Sequence, residues 1–116
     1  MSDQPAPERP AVKRVTSAEL CKLFNEGGYW ESAKAGTLTQ HILERRWSKM
    51  LTQETVPIES QIVSYRDQAN NEIARVHQFI RPDGSIAASG RPDPKRLLEG
   101  GILYRLEKKK KIPSPQ

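Results

Sequence analysis

The sequence predicts an α+β domain, with two N-terminal helices packed on a small antiparallel sheet of about four strands and a short helical turn before the last strand. Three observations predict it. Apolar residues recur at three- and four-residue spacings as far as Leu51, the period changes to two from Ile58, and Pro- and Gly-rich turns punctuate the second half.

Residues 1–14, MSDQPAPERPAVKR, are rich in Pro and charge and have no hydrophobic h-region. They read as a disordered leader rather than a secretory signal. The globular domain is expected over 15–107, followed by a basic disordered tail over 108–116. Thr16-Ser17-Ala18-Glu19 fits a capping box, Leu20, Leu23 and Phe24 share a face, and Gly27-Gly28 supplies a stop. The first helix therefore spans 17–26, and Tyr29 and Trp30 fold back onto the core as a packed turn. Leu38, Ile42, Leu43, Trp47, Met50 and Leu51 form an amphipathic stripe, so a second helix is expected there, capped by Thr37 or Thr39 and with Trp47 in the core. Pro57 forbids its continuation.

From Ile58 the alternation of Ile62, Ser64 and Arg66 with Val63, Tyr65 and Asp67 predicts a strand, and Asp67 to Asn71 a turn. The next strand, 72–80, puts Ala74, Val76, Gln78 and Ile80 on one face and Ile73, Arg75, His77 and Phe79 on the other. Arg81-Pro82-Asp83-Gly84 suits a hairpin connection, with 85–89 returning as a short strand. Asp93 as N-cap, Pro94 at the first helical position and Gly100 as stop predict a single helical turn, and 102–106 a last strand.

Composition bounds the function. The chain has 116 residues, 19 Lys and Arg against 14 Asp and Glu, and a formal charge of +5. This permits attraction to nucleic acid, anionic lipid or an acidic protein. Lys108 to Lys111 supply most of the excess, so basic surface on the folded part must come from clustering. Cys21 is the only cysteine, which excludes an internal disulfide and a Cys-rich zinc site and makes a reducing cytoplasm the simplest compartment. No apolar run approaches the ~18–20 residues of a membrane span. His41 and His77, the only histidines, lie on different elements with no carboxylate at metal-ligand spacing, so no metal and no cofactor is expected.

The most distinctive segment is RPDGSIAASGRPDPK, Arg81 to Lys95, in which Arg-Pro-Asp occurs twice. Each proline and aspartate sets a tight turn beside a guanidinium. If 72–80 pairs with the returning strand, His77 is placed to act as acid or base, Arg81 or Arg91 as phosphate clamp and Lys95 as a further cation. Those are the requirements for metal-independent RNA cleavage. Ser85, Ser89, Gly90 and Arg91 complete a candidate anion site, because a glycine lets backbone N–H groups approach phosphate. Arg45, Arg46 and Lys49 on the predicted second helix form a second cationic set able to follow a phosphate backbone. The same arginines also suit an ordinary hairpin, helix cap and solvated helix face.

The order of helices followed by a four-stranded antiparallel sheet, with histidine and arginine near the sheet, is similar to that of small bacterial ribonuclease toxins of the RelE and barnase type. This likeness of layout carries over no residue position by position. The expected function is a small basic domain binding phosphate or nucleic acid, RNA ahead of DNA, with ribonuclease-like chemistry at His77. The alternative is a non-enzymatic accessory subunit or adaptor of a larger protein assembly.

Overall fold

A computed structural model describes residues 10–48, 57–87 and 90–107. In chain order the elements are β1 (Ala11–Val15), α1 (Ser17–Glu26), α2 (Tyr29–Ala35), β2 (Thr39–Ser48), β3 (Ile58–Arg66), β4 (Glu72–Ile80), β5 (Asp93–Glu99) and β6 (Ile102–Leu106). The strands form one mixed sheet in the order β1-β6-β5-β4-β3-β2, antiparallel throughout except that β1 runs parallel to β6.

The fold class is therefore α+β, but the four-stranded antiparallel sheet of the sequence reading is corrected to six mixed strands. Three strands are gained and one is lost, since the expected return strand over 85–89 is reduced, in its described part, to the single bridge Ile80 to Ile86. The end of the supposed leader is β1, whose Val15 is buried in the core beside its partner Leu106. The stretch expected to be a second helix is β2, an edge strand. The turn expected to be helical is β5.

Each error has a local cause. In β2 the register slips between Ile42 and Glu44, so Leu43 is an extra, bulged residue. The bulge shifts the alternation by one, leaving Ile42 and Trp47 facing one side five residues apart. Superimposed on a period of two, that spacing imitates a helical stripe. Of that stripe Leu38 is buried in the core, but Ile42 and Leu43 are exposed and Trp47, expected in the core, is 74% exposed; Met50 and Leu51 lie outside the described residues. In β5, Asp93-Pro94 resembles a helix start, but Pro94 pairs with Val76 at a second register slip. A bulge tolerates a residue that cannot donate to the ladder. Gly100 and Gly101 then sit at φ 58° and 77°, left-handed at both positions as a tight two-residue hairpin requires, rather than ending a helix.

Where propensity and packing agree, the elements fall where the sequence puts them. α1 spans Ser17–Glu26 and is capped by the Thr16 hydroxyl, which accepts from the Glu19 N–H at 3.1 Å. Its buried Leu20 and Phe24 meet Val63, Tyr65, Ala74, Val76 and Leu97 of the sheet. Burying each large side chain contributes about 1.5–3 kcal/mol. Tyr29 and Trp30, expected to form a packed turn, instead open the helix α2; they do pack on the core, the Tyr29 ring stacking 6.0 Å from Phe24 and its hydroxyl donating to Glu99 at 2.6 Å. Burial, then that carboxylate, pushes the Tyr29 phenol well above its usual range. Beyond β4, the described part of the expected return strand makes one bridge, Ile80 to Ile86.

Both helices thus contribute to one side of the sheet. Because β residues alternate, the neighbours of the core residues point to the opposite side, which no helix covers among the described residues.

Candidate anion-binding face

The register places four arginines side by side on that open face. Arg14 pairs with Arg105, Arg105 with Arg96, and Arg96 with Arg75, across β1, β6, β5 and β4. Each lies next in sequence to a core residue: Val15, Ala74 and Val76, Leu97, and Leu106. Strand alternation then forces the arginine outward. With strands ~4.8 Å apart, the row spans about 14 Å. Together with Lys95 and Leu106 these side chains line a shallow groove of about 250 Å3.

Like charges directly opposite each other destabilise a sheet. Here one carboxylate offsets part of the repulsion. Glu72 accepts from the Arg75 guanidinium at 3.1 and 3.2 Å, lies 3.9 Å from Arg96, and also accepts from the Ser64 hydroxyl at 2.6 Å. The Arg96 guanidinium is nonetheless held below its usual pKa, first by burial and then by Arg75 and Arg105, with Glu72 opposing. Arg14 donates to the Leu106 carbonyl at 3.2 Å. Among the described residues neither Arg14 nor Arg105 forms an ion pair.

A cavity of about 450 Å3 opens where β5 leaves β4, beyond the last ladder pair, His77 with Asp93. His77 and Asp93 both line it, together with Cys21 and Asn25 of α1. The His77 Nε2 lies 2.7 Å from the Ser60 hydroxyl, and its ring meets Phe79 edge-on at 4.6 Å. Burial, then Lys95, lowers the His77 pKa, and Asp93 works against them. Asp93 accepts from Lys95 at 2.8 Å and from the Cys21 thiol at 3.8 Å. Burial first and then Asp93 raise the Cys21 pKa, which keeps the thiol protonated and weakly nucleophilic.

The residues singled out from the sequence are only partly brought together. His77 and Lys95 both adjoin Asp93. Arg81 is turned into its own loop, donating to the Ser85 hydroxyl at 3.2 Å and the Ile86 carbonyl at 3.1 Å, while Ser85 bonds Asp83 through both its N–H and its hydroxyl. Arg91 leans on α2, 3.3 Å from Glu31 and 4.7 Å from the centre of the Trp30 ring. Gly90 is exposed at φ 78°. Arg45 pairs with Glu59 and Arg46 with Glu44 on β2, so they belong to a sheet edge and not to a helix face. Ser89 and Lys49 lie outside the described residues, as does the Lys108–Lys111 run.

Arg14, Arg75, Arg96 and Arg105 were not among those residues. Their signal is an arginine beside a core residue in each of four segments, but it becomes visible only once those segments are known to be strands in register. Among the described residues no group of three or more His, Cys, Asp and Glu side chains could hold a metal ion, and no helix is long and apolar enough to cross a membrane. Comparison with known protein families, with curated proteins and with solved structures finds no match.

Proposed function

We propose that this chain is a nucleic-acid-binding domain whose working surface is the open face of the sheet, with RNA as the favoured ligand. The observation that carries the reading is the in-register row of four arginines. A single small anion is best held by groups that converge on a point. A row of cations repeating every ~4.8 Å instead suits a chain of phosphates, whose neutralisation releases counterions and makes binding salt-dependent. The strands already fix the backbone spacing of the row, so only side-chain freedom is lost when phosphates settle on it.

Fluorescence anisotropy of a labelled 12-mer RNA in EDTA, repeated over a range of KCl, tests the reading. Replacing Arg14 and Arg105 together by Ser is expected to weaken binding and to flatten the plot of log affinity against log salt by about 1.4, from ~0.7 per lost contact on a single strand. Unchanged affinity at low salt would overturn it. The same incubations report cleavage. Cleavage abolished by His77→Ala adds acid–base chemistry at His77, for which its position beside Lys95 and Asp93 is the support. If the wild type neither binds nor cleaves, the accessory-subunit reading takes over, supported by the exposed Ile42, Leu43 and Trp47 on the β2 edge.

A further inference from the structure

β2 ends the strand order, so among the described residues no strand pairs with the backbone N–H and C=O groups on its outer side. It is ten residues long, against five for β1 at the opposite edge. Among the described residues four large apolar side chains are exposed, and three of them, Ile42, Leu43 and Trp47, stand on β2. A long apolar edge is a template for a further strand unless charge or a bulge blocks it. β2 has both, and their placement makes the strand complementary to itself.

The register with β3 shows which way each side chain faces. Ile42, Arg45 and Trp47 pair with Val63, Gln61 and Glu59, whereas Glu44 and Arg46 pair with Ile62 and Ser60. Val63 lies in the core, so the first three face the helix side of the sheet and the other two the open side. Two copies of β2 can meet antiparallel with Arg45 on the two-fold axis. Glu44 of each copy then falls opposite Arg46 of the other, on the open side. Ile42, once the bulged Leu43 is passed over, falls opposite Trp47, on the helix side. Every directly opposed pair thus shares a face, as antiparallel pairing requires. Glu44 and Arg46 already pair within each strand, so the contact brings together four charges of alternating sign. The two Arg45 side chains meet at the axis, where Glu59 of each chain offsets their repulsion.

We infer that β2 is a dimerisation edge, which pairs with β2 of a second copy of this chain and joins the two sheets into one across a two-fold axis. The inference goes beyond the nucleic-acid reading and does not rest on it.

Sedimentation velocity of the full chain over about 1–100 µM, where modest interfaces dissociate, is expected to show a monomer–dimer equilibrium. Glu44→Arg sets arginine against arginine at the contact, and Arg46→Glu sets glutamate against glutamate. Each variant alone should dimerise about tenfold more weakly, because like charges directly opposite each other destabilise a ladder. Both positions are exposed, so the thermal midpoint of the monomer should hardly move. An equimolar mixture of the two variants restores arginine against glutamate on both sides of the axis and should dimerise about as tightly as the wild type. Adding Trp47→Ser to both chains should abolish that mixed dimer, which a purely electrostatic association would survive. A wild type that stays monomeric over the whole range would overturn the inference and leave the edge to a different protein. So would a dimer indifferent to both single variants, or a mixture of them that remains monomeric.

Discussion

Glu72 bonds to Ser64 and Arg75 and adjoins Arg96, so it is the point at which the open face is held together. Glu72→Gln keeps the shape but removes the charge that offsets the arginines. It is expected to destabilise the fold by about 1–2 kcal/mol, within the usual range for breaking a partly exposed charged network. The loss should shrink as salt is added, and nucleic-acid affinity should rise. Urea denaturation at two ionic strengths checks the first effect and anisotropy the second.

His77 makes stability depend on pH in a definite direction. Its pKa in the folded chain lies below the ordinary value of 6.5, so above that value it is neutral whether the chain is folded or not. As pH falls below 6.5 the unfolded chain takes up the proton first, and stability declines until the folded-state pKa is passed. The urea midpoint of the wild type should therefore fall more between about pH 7 and pH 5 than that of His77→Gln. A parallel fall in both would show that other groups set the acid response.

At the scale of elements, the sequence was most legible where local and tertiary preferences agree. α1, β4 and β6 occupy the spans their capping and alternation predict, because Leu20, Phe24, Ala74, Val76 and Leu106 all face the same core. It was least legible where a bulge disturbs the period, as at Leu43 in β2 and near Pro94 in β5, since local patterns do not encode a partner strand's register. β1 was missed for another reason. Five residues beside a polar stretch carry almost no signal, and only pairing with β6 fixes them. Hydrogen exchange distinguishes leader from strand. The Glu107 N–H, which donates to the Val15 carbonyl at 2.9 Å, should exchange slowly in the full chain and rapidly once residues 1–15 are removed.

For the whole molecule, the modest +5 charge matters less than its placement. The sequence indicated that a basic surface would require clustering, yet the cluster was hidden because Arg14 and Arg96 sit in segments that read as leader and helix, and because adjacency across strands is a tertiary fact. Salt should consequently act with opposite signs on fold and ligand. Raising KCl from about 50 to 300 mM screens the arginine row and should raise the thermal midpoint, while weakening nucleic-acid binding. A midpoint that falls over the same range would show that the ion pairs to Glu72 outweigh the repulsion.

The parallel pairing of β1 with β6 also governs how this domain responds to being pulled. The chain enters β1 at one end of the sheet and leaves β6 at the other. Tension applied through β1 and β6 therefore drags the edge strand β1 lengthwise past its neighbour β6 and loads their backbone bonds together, rather than peeling them apart one at a time. A domain so connected should resist mechanical extension, for instance when a motor or a protease unfoldase draws on one terminus while the other is anchored.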